Sequence, residues 1–204
     1  MNCSNYFQYG DVIKVDRGRY YHYGIYENDN KVYEYNKIYD STEDCQPNLS
    51  KKYNIDIHIT SIWDFAKGKD GKGDAVYRLV LPDRYSSNKS CKIISIKVWD
   101  REDEKAIKSI KETKELNNPF SFFASLFDES EDFSQLPDYH IYSPFETIQR
   151  AKERIGEEDY NLINNNCECY ALFCKIGINK STQTQSLKQL PNTLLKFILK
   201  NYDT

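Results

Sequence analysis

Near the start of the chain, hydrophobic and polar positions alternate with the period of a β-sheet. Gly10-Asp11 leads into Val12 to Asp16, Arg17-Gly18 reads as a turn, and Tyr20 to Tyr26 is a second strand-like run. Asn28-Asp29-Asn30 is a turn signal, and Lys31 to Tyr35 is the returning strand. With those turn residues as the loop, Glu27 pairs with Lys31 and Gly24 lies opposite Glu34. Alternation then places His22, Gly24, Tyr26, Val32 and Glu34 on one face, with His22 and Glu34 on a diagonal. Gly24 leaves room between them. A two-residue loop would shift this register.

The pattern continues downstream. Ile55, Ile57 and Ile59 alternate with Asp56, His58 and Thr60, which predicts a half-buried strand with His58 on its solvated face. Ser61-Ile62-Trp63-Asp64 starts a short helix that ends near Gly68. Val76 to Leu81 and Lys92 to Trp99 read as strands. Asp100 with Asp103 predicts an exposed helix to about Leu116, supported by pairs such as Glu104 and Lys108. Phe120 to Phe127 is an aromatic run followed by acidic Asp128 to Asp132. It reads as a buried segment or as a lip that meets acyl chains or a membrane surface. Ser143-Pro144-Phe145-Glu146 is a helix start with its apolar stripe on Phe145, Ile148, Ala151 and Ile155, and Gly156 stops it. His140, just before, reads as structural or solvated. Leu190 to Tyr202 forms a short amphipathic C-terminal helix.

One further helix carries candidate chemistry. The polar stretch Tyr160 to Asn166 stops at Cys167, and a helix runs from there to Ile176, with Asn166 as N-cap and Gly177 just past the end. Cys167 then sits in the first turn, at the positive end of the helix dipole. A free thiol with a pKa of ~8.5 is only a few per cent ionised at neutral pH. Ionising most of it takes roughly 2–3 kcal/mol, and a helix terminus supplies about 0.3–1 kcal/mol. A cationic partner must supply the rest, and His22, His58 and His140 are the histidines available. A His22–Glu34 pair would suit a general base, because a carboxylate holds one ring nitrogen and leaves the other for the nucleophile. The competing reading is an inert core cysteine in a buried helix.

Composition narrows the choice. At 204 residues the chain can bury about 70% of its unfolded surface and needs no staples. Its 28 basic and 31 acidic residues nearly balance, which argues against a general nucleic-acid binder and leaves no polybasic membrane patch. The first residues show no signal-peptide pattern, and no stretch approaches the ~20 apolar residues of a membrane span. A cytoplasmic protein with mostly reduced cysteines is expected. The six cysteines lack the paired spacing of a zinc site, so no metal and no cofactor is expected.

Two blocks carry a resemblance. The first is Gly10-Asp11-Val12-Ile13 with Tyr20-Tyr21-His22-Tyr23-Gly24-Ile25-Tyr26. The second is Ala151-Lys152, Gly156, Tyr160-Asn161-Leu162, Asn166-Cys167-Glu168 and Ile176-Gly177. Together they resemble the lecithin:retinol acyltransferase-like family, which includes the HRAS-like suppressor phospholipases and is related by circular permutation to NlpC-type, papain-like peptidases. The resemblance covers residues 10–35 and 143–177 well. It implies a single α+β domain, with an antiparallel sheet packed on the cysteine helix and an insertion at about 85–138. It also implies Cys167 as nucleophile and His22 as base. The family often has a second histidine in the third position, where spacing here puts Glu34. It often has histidine after the Asn-Cys-Glu motif, where this chain has Cys169.

The activity implied is acyl transfer or lipid hydrolysis through a thioacyl-cysteine. A fatty-acyl ester, a phospholipid above all, is the donor, and water, an amine or an alcohol is the acceptor. Tyr20 and Asn166 are candidate oxyanion or substrate contacts. Peripheral membrane contact through Phe120 to Phe127 or the C-terminal helix is part of this expectation. Two alternatives stay open: a cysteine peptidase or amidase on the same trio, and a non-catalytic binding module that keeps the fold.

Overall fold

A computed structural model describes residues 6–17, 20–38, 54–67, 75–80, 91–101, 104–116, 140–161 and 165–178. The runs at 120–127 and 190–202 lie outside these. Seven strands are described: β1 (Asp11–Asp16), β2 (Tyr21–Asn28), β3 (Lys31–Ile38), β4 (Asn54–Thr60), β5 (Ala75–Val80), β6 (Cys91–Arg101) and β7 (Glu104–Leu116). They form one antiparallel sheet in the order β4-β3-β2-β1-β5-β6-β7. The helices are α1 (Ile62–Ala66), α2 (Pro144–Glu153) and α3 (Cys167–Ile176). The fold is α+β. Among the described residues no helix is long and apolar enough to cross a membrane.

Alternating strand residues feed two cores, one on each face of the sheet. Tyr23, Ile25, Tyr33, Tyr35 and Ile57 pack with Ile148 and Ala151 of α2 and with the apolar residues of α3. Ile13, Val15, Tyr26, Val32, Val76 and Ile96 pack on the other face with Phe65 and Trp63 of α1. β1 lies between β2 and β5, with a core against each face, and it is buried from Asp11 to Val15.

The cysteine helix is fixed at both ends. Asn166 caps its start, its side chain accepting from the Cys169 N–H at 2.9 Å. Gly177 ends it in the left-handed region, at φ 75°, where a side chain would be strained. Arg150 of α2 donates to the Phe173 carbonyl at 2.9 Å, and Lys175 donates to the Gly10 carbonyl at 3.2 Å. α2 begins at the full capping box of Ser143 and Glu146.

Three sequence expectations change. Residues 104–116 form strand β7 rather than a helix, paired with β6 along its length. Glu, Lys, Ala and Leu favour helices by propensity, but the ladder with β6 overrides that preference. A charged outermost strand also resists edge-to-edge association. The β6–β7 hairpin, which falls inside the expected insertion, extends the sheet beyond β5. On α2, Ile148 and Ala151 are buried as expected, but Phe145 is exposed, and the helix ends at Glu153, which leaves Ile155 exposed in the turn beyond it. Finally, the β2–β3 turn is tighter than expected, because Asn28 pairs with Lys31 and leaves Asp29-Asn30 as a two-residue loop. A bulge between Tyr26 and Asn28 absorbs the shift, so Gly24 still pairs with Glu34.

Candidate active site

β2 and β3 place His22 and Glu34 on the α1 face of the sheet, on the diagonal that alternation predicts. The Nε2 of His22 lies 2.5 Å from the Oε2 of Glu34. The paired stretch of β2 and β3 stops at Gly24 and Glu34, while β3 stays paired to β4 as far as Ile38. The two strands therefore fork just where His22 begins. Cys167, at the start of α3 on the opposite face, comes near enough to His22 at this fork to raise its affinity for a proton. With Nε2 committed to Glu34, Nδ1 is the ring nitrogen left for the thiol. The Cys167 Sγ also lies 3.9 Å from the Tyr21 carbonyl, a weak thiol hydrogen bond.

Cys167, His22 and Glu34 are 5%, 2% and 3% exposed, so their mutual interactions act with little solvent screening. Burial pushes His22 down, but its hydrogen bonds to Cys167 and Glu34 outweigh that and bring it up to about 9. Burial pushes Glu34 up, and hydrogen bonds from His22 and His58 overcome it, leaving the carboxyl at about 2. Glu34 is thus an anion at every ordinary pH, and His22 readily carries a proton.

Gly24 does not hold space open between His22 and Glu34. A Cβ there would meet Phe65 and Val32 at 2.8 Å, so their side chains already fill that space. Phe65 in turn stacks on His22 with ring centroids 5.3 Å apart. The missing side chain lets α1 press an aromatic ring against the histidine.

The remaining candidates are placed as follows. The Asn166 Oδ1 is the helix cap. Tyr20 is half-buried just before β2, and its carbonyl accepts from the Arg17 N–H at 2.9 Å. His140 is exposed and stacks edge-on with Tyr142, centroids 4.8 Å apart, away from the trio.

His58 departs from expectation. It pairs with Glu34 across the β3–β4 ladder, and its Nε2 lies 3.3 Å from Glu34 Oε1. The polar face of β4 is the face that carries the site, so a strand read as polar-out conceals a partner of Glu34. Glu168, beside Cys167, is fully buried, and buried Lys14 of β1 lies 4.1 Å over the Tyr21 ring. Burial pushes Lys14 down to about 7, with the charge of Glu168 opposing. No hydrophobicity pattern marks Lys14, because it is a lysine inside a central strand.

A family model described as lecithin retinol acyltransferase matches residues 5–180. Among curated proteins the chain is 24% identical to lecithin retinol acyltransferase of Rattus norvegicus, over 94% of this chain and 64% of that protein. It is also 24% identical to lecithin retinol acyltransferase of Mus musculus, over 88% of this chain and 58% of that protein. The chain therefore spans less than two thirds of the length of these relatives. No solved structure matches significantly.

Proposed function

Because the chain belongs to the lecithin retinol acyltransferase family, we propose that it is a cysteine-dependent acyltransferase or lipid hydrolase working through Cys167, His22 and Glu34. The observation that carries this reading is the buried His22–Glu34 contact at 2.5 Å, with Cys167 acting on His22 from the first turn of a buried helix. A structural cysteine needs no such partners. Membership of the family supports a fatty-acyl ester, most simply a phospholipid, as the donor. As part of the same reading, the α+β fold is taken as a permuted papain-like architecture.

The reaction has two halves. His22 accepts the Cys167 proton, and the thiolate attacks the acyl carbonyl. Backbone N–H groups in the first turn of α3 hold part of the oxyanion charge, with Tyr20 and Asn166 as further candidate donors. The tetrahedral species collapses as the carbon–oxygen bond breaks, and His22 gives its proton to the departing alcohol. This leaves a thioacyl-Cys167. In the second half, water, an amine or an alcohol attacks the thioester and loses its proton to His22. The carbon–sulfur bond breaks and the thiolate returns. Glu34 keeps the ring oriented and stabilises the imidazolium in both halves.

The test is turnover of a mixed phospholipid dispersion, following lysophospholipid and the fate of the acyl group, with Cys167→Ala as control. Lysophospholipid from the wild type alone supports the proposal, and added amines or alcohols then identify the acceptor. Cleavage of peptide or amide substrates with no lysophospholipid would replace it with a peptidase. Neither activity, together with slow alkylation of Cys167, would leave a binding module.

A further inference from the structure

Glu34 has two carboxylate oxygens, and a histidine sits on each. Oε2 meets His22 at 2.5 Å, and Oε1 meets the Nε2 of His58 at 3.3 Å. Asn36 also approaches Oε2, at 3.4 Å, so it shares the His22 oxygen and leaves Oε1 to His58. The other ring nitrogen of His58, Nδ1, lies 2.9 Å from Asp56 Oδ1. An ionised carboxylate can only accept hydrogen bonds. Both nitrogens of His58 must then carry protons to satisfy both neighbours, and the ring fits this position as an imidazolium. The charged groups acting on it are Glu34 across the ladder and Asp56 on its own strand, and the hydrogen bond to Glu34 raises its affinity for a proton most. Its side chain is 24% exposed, so the proton can exchange with solvent.

We propose that His58 is a positioning residue for the base: it pins Glu34 by Oε1 so that Oε2 stays on His22. The inference rests on the catalytic reading of Cys167 and His22 given above. A glutamate carboxyl turns easily about its last bond, and a buried oxygen without a donor seeks one elsewhere. With His58 in place, the turn is blocked. Charges then alternate from the surface inward, from Asp56 through His58 and Glu34 to His22.

The test combines turnover with a readout that needs none. The His22 Nε2 proton, held at short range by Glu34, gives a strongly deshielded imidazole resonance, assigned by its loss in His22→Asn. In His58→Ala this resonance should move upfield or broaden. The same variant should lower kcat about tenfold, the effect of one charge-assisted hydrogen bond, with KM within about twofold. His58→Gln keeps an N–H donor for Oε1 and should restore the resonance and most of kcat. Thermal melts check that both variants fold. A His58→Ala protein with an unmoved resonance and wild-type kcat overturns the inference, as does a His58→Gln protein no better than the alanine variant. A wild type inactive on acyl lipids, whose resonance still responds to His58→Ala, would sink the proposed function and leave the positioning role standing.

Discussion

Replacing Glu34 by glutamine keeps the side chain's shape and removes its charge. Glu34 is held at about 2 rather than its ordinary 4.5 although burial pulls the other way, a net gain for the anion of about 3 kcal/mol that the interactions with His22 and His58 together must exceed. A charge-assisted hydrogen bond of this kind favours the imidazolium by about 1.5–3 kcal/mol, or at least about one pH unit. The sign follows from the chemistry. His22 stands at about 9, so the imidazolium persists below that pH and is lost above it. Without the anion the imidazolium weakens, and the alkaline limb should fall from about 9 by at least about one pH unit. The assay is the rate of Cys167 alkylation by a neutral reagent across pH, for wild type and Glu34→Gln. The shoulder where the His22 proton is lost marks the limb. Stability should change in step. The contribution from Glu34 is fully present above 4.5 and is lost as pH falls through about 2. The glutamine variant should lack that acid dependence. An alkaline limb that stays at about 9, or moves up, would refute the reasoning.

Further substitutions probe the surroundings. Gly24→Ala pushes a Cβ into Phe65 and Val32, so it should cost about 1–3 kcal/mol in a denaturant melt and disturb the ring that stacks on His22. A melt and an alkylation profile both like wild type would contradict that packing argument. Asn166→Ala removes the cap from the Cys169 N–H and should cost about 1 kcal/mol, while Asn166→Ser recovers most of it. Equal losses in the two variants would assign Asn166 some other task. Glu168→Ala removes the charge that acts most strongly on buried Lys14 and should lower stability in a denaturant melt. Adding Lys14→Met to that variant should restore part of the stability, and a melt showing no recovery would argue against the pairing.

The site was legible where local rules suffice. A helix that starts after an Asn cap and ends at Gly177 can be read from those residues, and strand alternation puts His22 and Glu34 on one face. The register survived a wrong loop length only because a bulge compensates, and nothing in the residues around Glu27 announces that bulge. His58 was misjudged because alternation sorts residues into apolar and polar faces without saying that a polar face can be covered. Here Glu34, on the neighbouring strand, turns toward His58, and that is a tertiary fact. Strand β7 was misread for the same reason in reverse: Glu and Lys at helical spacing give a local preference, and pairing with β6 decides the outcome. Phe145 and Ile155 complete a helical stripe on paper, yet α2 presents only its middle residues to the core.

The most direct test of Cys167 as the nucleophile is the intact mass of the protein after brief exposure to a phospholipid dispersion. A fatty-acyl increment is predicted on the wild type, mapped to Cys167, absent from Cys167→Ala and strongly reduced in His22→Asn. An unmodified wild type under conditions that yield lysophospholipid, or an increment that survives Cys167→Ala, would contradict the thioacyl route.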